Sequence, residues 1–250
     1  MMLVALLFIA CSKPAEYAAL SLDEATRALF VSFHTDEAEA LALELSTRVD
    51  EERDGLAEGR HLALLDASDV DGLAFDEVAD LAVTYGAAFG RAVSGSMASH
   101  AAVVPNADQS WSAPSYDRYD RVIVSGTAAA FEAGGELQTD NTIEKDVGLV
   151  VLPYPMDKDY RWFNLPGGQA MLMRSIIYDA GFSADGKTGV VVGFTIEARF
   201  PEGADGIYWY NATWTQVMSP FELTEDFLVA QILDGIEEEF DATEAYVTGE

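Results

Sequence analysis

Hydrophobic and polar positions change period along this chain, and each period predicts a different element. Met1 to Ala10, MMLVALLFIA, is an unbroken apolar run too short to cross a bilayer as a helix. Ser21 then precedes Glu24 by three residues, which is a capping box, and Leu29, Phe30 and Phe33 continue as an apolar stripe. Ala38, Leu41, Ala42 and Leu45 recur at helical spacing up to about Glu52, so 21–52 is predicted as two helices. Phe75, Val78, Ala79, Ala82 and Val83 form another amphipathic segment, which follows a turn at Asp71-Gly72 and fades at Gly86.

From about Arg91 the period becomes two. Val93, Met97, Ala101 and Val103 fall on one side, with Ser94, Ser96 and His100 on the other, and this reads as a first strand. The stretch 108–119, with Trp111 and Pro114, reads as loop or short helix. β-rich runs follow at about 121–125, 129–137, 142–152, 160–165, 170–179, 190–200 and 207–217. Gly134-Gly135, Gly167-Gly168, Asp185-Gly186 and Asp205-Gly206 separate several of them, as the hairpins of an antiparallel meander require. Ser219-Pro220-Phe221-Glu222 combines an N-cap, a proline at the first helical position and a glutamate at the third. It is predicted to open a long helix carrying Val229, Ile232, Leu233, Ile236 and Phe240 on one side.

Half of the 250 residues are apolar, enough for one good core. The formal charge of −29, from 43 acidic and 14 basic residues, excludes nucleic acid as a partner and disfavours anionic head groups. The single cysteine lies in Phe8-Ile9-Ala10-Cys11-Ser12, which resembles the bacterial lipobox, where the thiol is diacylated and becomes the new N-terminus. On that resemblance 1–10 is a signal peptide, 11–20 a lipidated tether, and the chain is anchored in the cell envelope through Cys11. Ser12 after the cysteine implies the outer membrane by the same family habit. With Cys11 acylated, no thiol remains for a disulfide or a metal.

The remaining motifs carry little chemistry. His34, His61 and His100 have no partner at helical spacing, so no metal or other cofactor is expected. Asp66 to Gly72 departs from a calcium loop at the positions of Val70 and Gly72. Ser94-Gly95-Ser96 lacks the second glycine of a nucleophile elbow. Asp157 and Asp159, flanking Lys158, read as a solvated charge cluster in a turn.

Leu152-Pro153-Tyr154-Pro155-Met156-Asp157-Lys158-Asp159-Tyr160 resembles the Pro-aromatic-Pro-x-x-basic-acidic segment of bacterial members of the START lipid-transfer group, with Lys158 where arginine is usual. Trp111 to Arg121, containing Tyr116-Asp117-Arg118-Tyr119, is similar to the stretch after their first strand. The resemblance implies an α+β fold of the START-like (SRPBCC, helix-grip) kind: a curved antiparallel sheet gripping a long C-terminal helix over 91–247. The helical N-terminal region over 21–90, read from its periodicity, precedes it and is a departure from that family. The resemblance also implies a tunnel between sheet and helix for a lipid or other apolar small molecule. The candidates to line it are Phe194, Ile196 and Phe200 from one strand, Tyr208, Tyr210 and Trp214 from the next, and Ile232 and Ile236 from the helix. The expected function is therefore a membrane-tethered, non-enzymatic binding protein. The rivals are a structural envelope lipoprotein with a filled core, and a cyclase or hydrolase of the same superfamily using His100, Tyr178 or Arg174.

Overall fold

The computed structural model describes residues 20–70, 73, 79–147, 150–203 and 205–250. The signal run, Cys11, most of the tether, Phe75 and Val78 lie outside them. Two helices, α1 (Leu22–Ser32) and α2 (Ala38–Glu51), lead through a short α3 (Arg53–Leu56) into strand β1 (Arg60–Leu62). Next come β2 (Tyr85–Ser94), α4 (Met97–Val103), β3 (Tyr116–Ser125), α5 (Ala128–Glu132), β4 (Leu137–Asp146) and β5 (Val151–Leu165). β6 (Gly168–Ile177), a two-residue β7 (Gly181–Phe182), β8 (Gly189–Glu202), β9 (Gly206–Met218) and the long α6 (Glu225–Thr248) complete the chain. All strands join one antiparallel sheet in the order β1-β2-β9-β8-β6-β5-β4-β3, with β7 paired to β8. The architecture is α+β, a large curved sheet with the C-terminal helix laid across it.

Both faces of the sheet are covered. On the inner face α6 packs Val229, Ile232, Ile236 and Phe240 against Ala87, Phe89 and Val93 of β2 and Ile207 and Trp209 of β9. Phe240 stacks on Trp209 with ring centres 4.0 Å apart. α4 and α5 cover the other half of that face, where Ala101, Val104 and Phe131 meet Leu137, Tyr160, Met171 and Met173. On the outer face lie α1 and α2. The capping box starts α1, Ser21 N donating to Glu24 Oε2 at 2.7 Å and Glu24 N to Ser21 Oγ at 3.3 Å. Leu22, Ala25, Thr26, Leu29 and Phe30 are its buried stripe, spaced as one helical face requires.

The outer layer fits because β2 alternates small residues beneath β9's aromatics. Gly86, Ala88, Gly90 and Ala92 stand opposite Trp214, Ala212, Tyr210 and Tyr208. A Cβ at Gly86 would lie 2.3 Å from Trp214 Cδ1, so no side chain is accommodated without moving the indole. The indole is itself fixed, since Trp214 Nε1 donates to the Ala63 carbonyl at 2.9 Å.

Several sequence expectations need correction. The strand expected from about Arg91 is β2 and starts at Tyr85, so the expected boundary at residue 90 falls inside it, and the short β1 precedes it. The N-terminal region is not an appended helical unit, because β1 and β2 belong to the sheet. The strand also ends at Ser94: Gly95 turns the chain with φ +101°, Ser96 caps α4 by accepting from Ser99 N, and Met97 to Val103 are helical. Residues 129–137, read as a strand, form α5 and a turn, with Thr127 as cap and Gly134 at φ +94°. α6 begins at Glu225 under a Thr224 cap, while Ser219 closes only a local turn by accepting from Phe221 N at 3.1 Å. Asp157 to Asp159 lie inside β5, where sheet pairing sends Lys158 to the inner face and its two neighbours to the outer one.

Gly86→Ala is expected to destabilise the fold by about 1–3 kcal/mol through overpacking against Trp214. Thermal unfolding should then shift down by roughly 2–12 °C. An unchanged midpoint would show that the β2 glycine is not needed for seating the indole.

Candidate functional site

The inner face offers two spaces along α6, and they differ in chemistry. One is an open cleft of about 290 Å³ at the N-terminal end of the helix, lined by Val83, Tyr85, Val191, Val217, Phe221 and Leu228 among others. Phe221 at its rim is 72% exposed, with Met218 and Val83 partly exposed beside it. A cluster of exposed apolar side chains around a concavity is what soluble surfaces avoid unless something binds there.

The other space is a small, partly open cavity of about 20 Å³ beneath the C-terminal half of α6, and its lining is mostly polar. β3 supplies Tyr119 and Arg121, β5 supplies Lys158 and Tyr160, β8 supplies Glu197 and Arg199, and α6 supplies Glu239 and Thr243. Trp111, stacked on Tyr246 with ring centres 4.0 Å apart, stands at its edge. Alternation places these residues: Arg121 opposes Asn141, and Lys158 opposes Thr139 and Ser175, all pointing inward.

Arg121 is buried and bonded only to neutral acceptors, donating to Asn141 Oδ1 at 2.8 Å, to Tyr119 OH at 3.0 Å and to the Val104 carbonyl. Arg199 donates to Glu197 at 2.8 Å and lies over the Trp209 ring, 4.0 Å from its centre. Burial pushes the Glu197 carboxyl above the ordinary range, and Arg199 offsets that only in part. His100 is fully buried beside Trp209 and hydrogen-bonded. Its Nε2 is 2.9 Å from the Ser94 carbonyl, so the neutral ring donates there and leaves Nδ1 without a partner. Burial first, and then the Arg199 charge, hold its pKa down to about 4, against the opposing pull of the Ser94 carbonyl and Glu244.

The structure does not bring the predicted tunnel residues together. Ile232 and Ile236 lie on the inner face under α6. Phe194, Ile196, Phe200, Tyr208, Tyr210 and Trp214 all point to the outer face and are buried against the N-terminal helices and β1. Phe30 meets Phe194 edge-on at 5.4 Å, Tyr210 OH shares a hydrogen bond with Thr26 Oγ1 at 2.9 Å, and Arg53 lies 4.1 Å over the Tyr208 ring. The alternation within β8 and β9 was read correctly, but the layer covering each face was not. His100 is likewise apart from Arg174 and Tyr178, which are on the outer side. There Arg174 and His34 both donate to Asp159 Oδ2, at 2.8 and 2.9 Å. Burial opposes the Asp159 charge, yet these two bonds outweigh it and hold its pKa below the usual carboxylate range. Among the described residues no group of three or more His, Cys, Asp or Glu is placed to hold a metal ion.

The sequence matches no known family profile and no curated protein. Its fold is similar in outline to solved structures of very different sequence. Zhui aromatase/cyclase from Streptomyces is 10% identical, over 65% of this chain and 93% of that one, with a TM-score of 0.43. A protein from Thermus thermophilus is 11% identical over 65% and 96%, with a TM-score of 0.47. A STAR-related lipid transfer protein from Xanthomonas axonopodis is 10% identical over 66% and 86%, with a TM-score of 0.43. These likenesses concern the course of the chain and assign no residue a role.

His100 gives a pH signature. Its folded pKa of about 4 lies below the ordinary 6.5, so the unfolded chain takes up a proton that the folded chain refuses. The contribution is complete above about pH 6.5 and is lost as pH falls toward 4, amounting to about 3 kcal/mol. Urea unfolding from pH 7 to 4 should show a steeper loss of stability in the wild type than in His100→Gln. Parallel curves, or a His100 resonance titrating near 6.5, would contradict the assignment.

Proposed function

We propose that the chain is a membrane-tethered binding protein of the cell envelope that holds an apolar small molecule or lipid without catalysis. The observation that carries this reading is the open cleft between the start of α6 and the ends of β8 and β9, lined by aliphatic side chains together with Gln216 and Ser219, with Phe221, Met218 and Val83 exposed around it. Its volume of about 290 Å³ sits at the lower end of the range for small-molecule sites and suits one acyl chain or a small ring system. The cleft replaces the tunnel expected from the sequence, since six of the eight candidate residues pack on the opposite face. Val191, Val217, Leu223 and Leu228 take their place.

The tether rests on Cys11 and the apolar run before it. Among the described residues no helix is long and apolar enough to span a membrane; in this reading an acyl group on Cys11 supplies the attachment. Such an anchor confines the domain to a surface where apolar ligands are concentrated, while a charge of −29 keeps the body from lying flat on anionic lipid. One observation favours a second reading, that of a structural envelope lipoprotein: beneath the C-terminal half of α6 side chains fill the inner face down to about 20 Å³.

Native mass spectrometry with displacement of a fluorescent fatty acid separates the two. A bound apolar molecule is expected in the wild type, with affinity reduced about tenfold or more in Val217→Glu at unchanged thermal stability. Wild-type protein that carries nothing and takes up no probe would leave the structural reading. Cys11→Ser is expected to abolish acyl incorporation and release the protein from the membrane fraction; continued membrane association would remove the tether.

A further inference from the structure

We propose that the small polar cavity edged by Trp111 is a binding site for a compact, singly charged anion. It shares no lining residue with the apolar cleft and is independent of it. Its lining is that of an anion site: three cations, Arg121, Lys158 and Arg199, face two carboxylates, Glu197 and Glu239. Glu197 is engaged with Arg199, while Arg121 is held only by neutral oxygens. Lys158 is 6% exposed, and among the described residues neither a hydrogen bond nor a carboxylate reaches its Nζ; its nearest ring is Tyr119, 5.5 Å away. Glu239 attracts this ammonium from across the cavity without touching it, and an anion beside Nζ would supply the direct partner that burial calls for.

Two further groups point to the same occupant. Ser112 Oγ and Arg199 Nε both belong to residues lining this cavity, both are buried, and among the described residues neither has a hydrogen-bond partner. An ammonium, a guanidinium N–H and a hydroxyl make a donor set, and any cation would meet the excess positive charge. The small volume suits chloride or the end of a carboxylate better than a larger, multiply charged anion. The excess of one cation over the acids matches a single negative charge. Anion binding elsewhere on so acidic a chain is disfavoured, which keeps the background low.

Chlorine NMR line broadening on the full-length protein in detergent micelles tests this. Wild-type protein is expected to broaden the chloride line, Lys158→Met to weaken binding about tenfold or more, and Lys187→Met, on an exposed turn, to leave it unchanged. Ser112→Ala, which removes only a hydroxyl, should weaken it about threefold and covers the case in which Lys158→Met fails to fold. Sodium acetate and sodium octanoate then identify the source: equal competition marks a site for free ions, and octanoate competing more strongly marks the carboxylate of an organic molecule. Octanol should not compete, and fluorescent fatty acid uptake by the apolar cleft should persist in Ser112→Ala. No broadening by the wild type, or equal broadening by wild type, Lys158→Met and Ser112→Ala, would overturn the anion site while leaving the cleft standing.

Discussion

Strands β8 and β9 carry large side chains on both faces, and water must be kept from both. Along β9, Tyr208, Tyr210 and Trp214 alternate with Ile207, Trp209 and Asn211. A single long helix covers only one side of such a ribbon. α6 takes the inner face, and the outer face is closed by α1, α2 and the chain around β1, which supply Thr26, Arg53 and the Ala63 carbonyl as partners for the aromatic polar groups. Burying side chains of this size is worth roughly 1.5–3 kcal/mol each, so the N-terminal helices are part of the core and not an accessory to it. The open spaces are left on the inner face, where α6 and the α4–α5 excursion do not fill everything.

Charge follows the same division. The surface is strongly acidic, yet the inner face gathers Arg121, Lys158 and Arg199 out of contact with bulk water. The outer face has its own charged clamp, in which Asp159 of β5 receives Arg174 of β6 and His34 just beyond α1, with Gln138 of β4 donating to its other oxygen at 3.0 Å. Ionic contacts of this kind add little net stability but are strongly disfavoured in any other register, so they fix where the helices sit and which side of β5 faces inward. One residue of slip in β5 would exchange Lys158 for an aspartate at the cavity.

The α+β class, the antiparallel meander, the capping box of α1 and the apolar stripe of α6 were all legible in the sequence, because each depends on local spacing. The site was legible only in part. Period two in β8 separates Phe194 and Ile196 from Glu197 and Arg199, but nothing local tells which set meets α6. The polar set does, against the usual expectation that the apolar face is the one that lines a ligand space. Tyr85 to Gly90 was missed as a strand because its small residues, selected by Trp214 and Tyr208 from a distant strand, dilute the β pattern. α5 was misread because five residues are too few to display a helical period, although their alanines favour a helix. Lys158 looked like a solvated residue between two aspartates; the pleat of a 15-residue strand, not its composition, sends it inward.

The central claim is that apolar ligands are taken on the α6 side of the sheet and never on the side of the N-terminal helices. Methyl NMR of the protein titrated with a medium-chain fatty alcohol tests this most directly. The account predicts shifts at Val191, Val217 and Leu228, with Leu29, Leu45 and Ile196 unmoved. Shifts at Ile196 and Leu29, with the cleft methyls silent, would contradict it and would mean that α1 and α2 give way to admit the ligand.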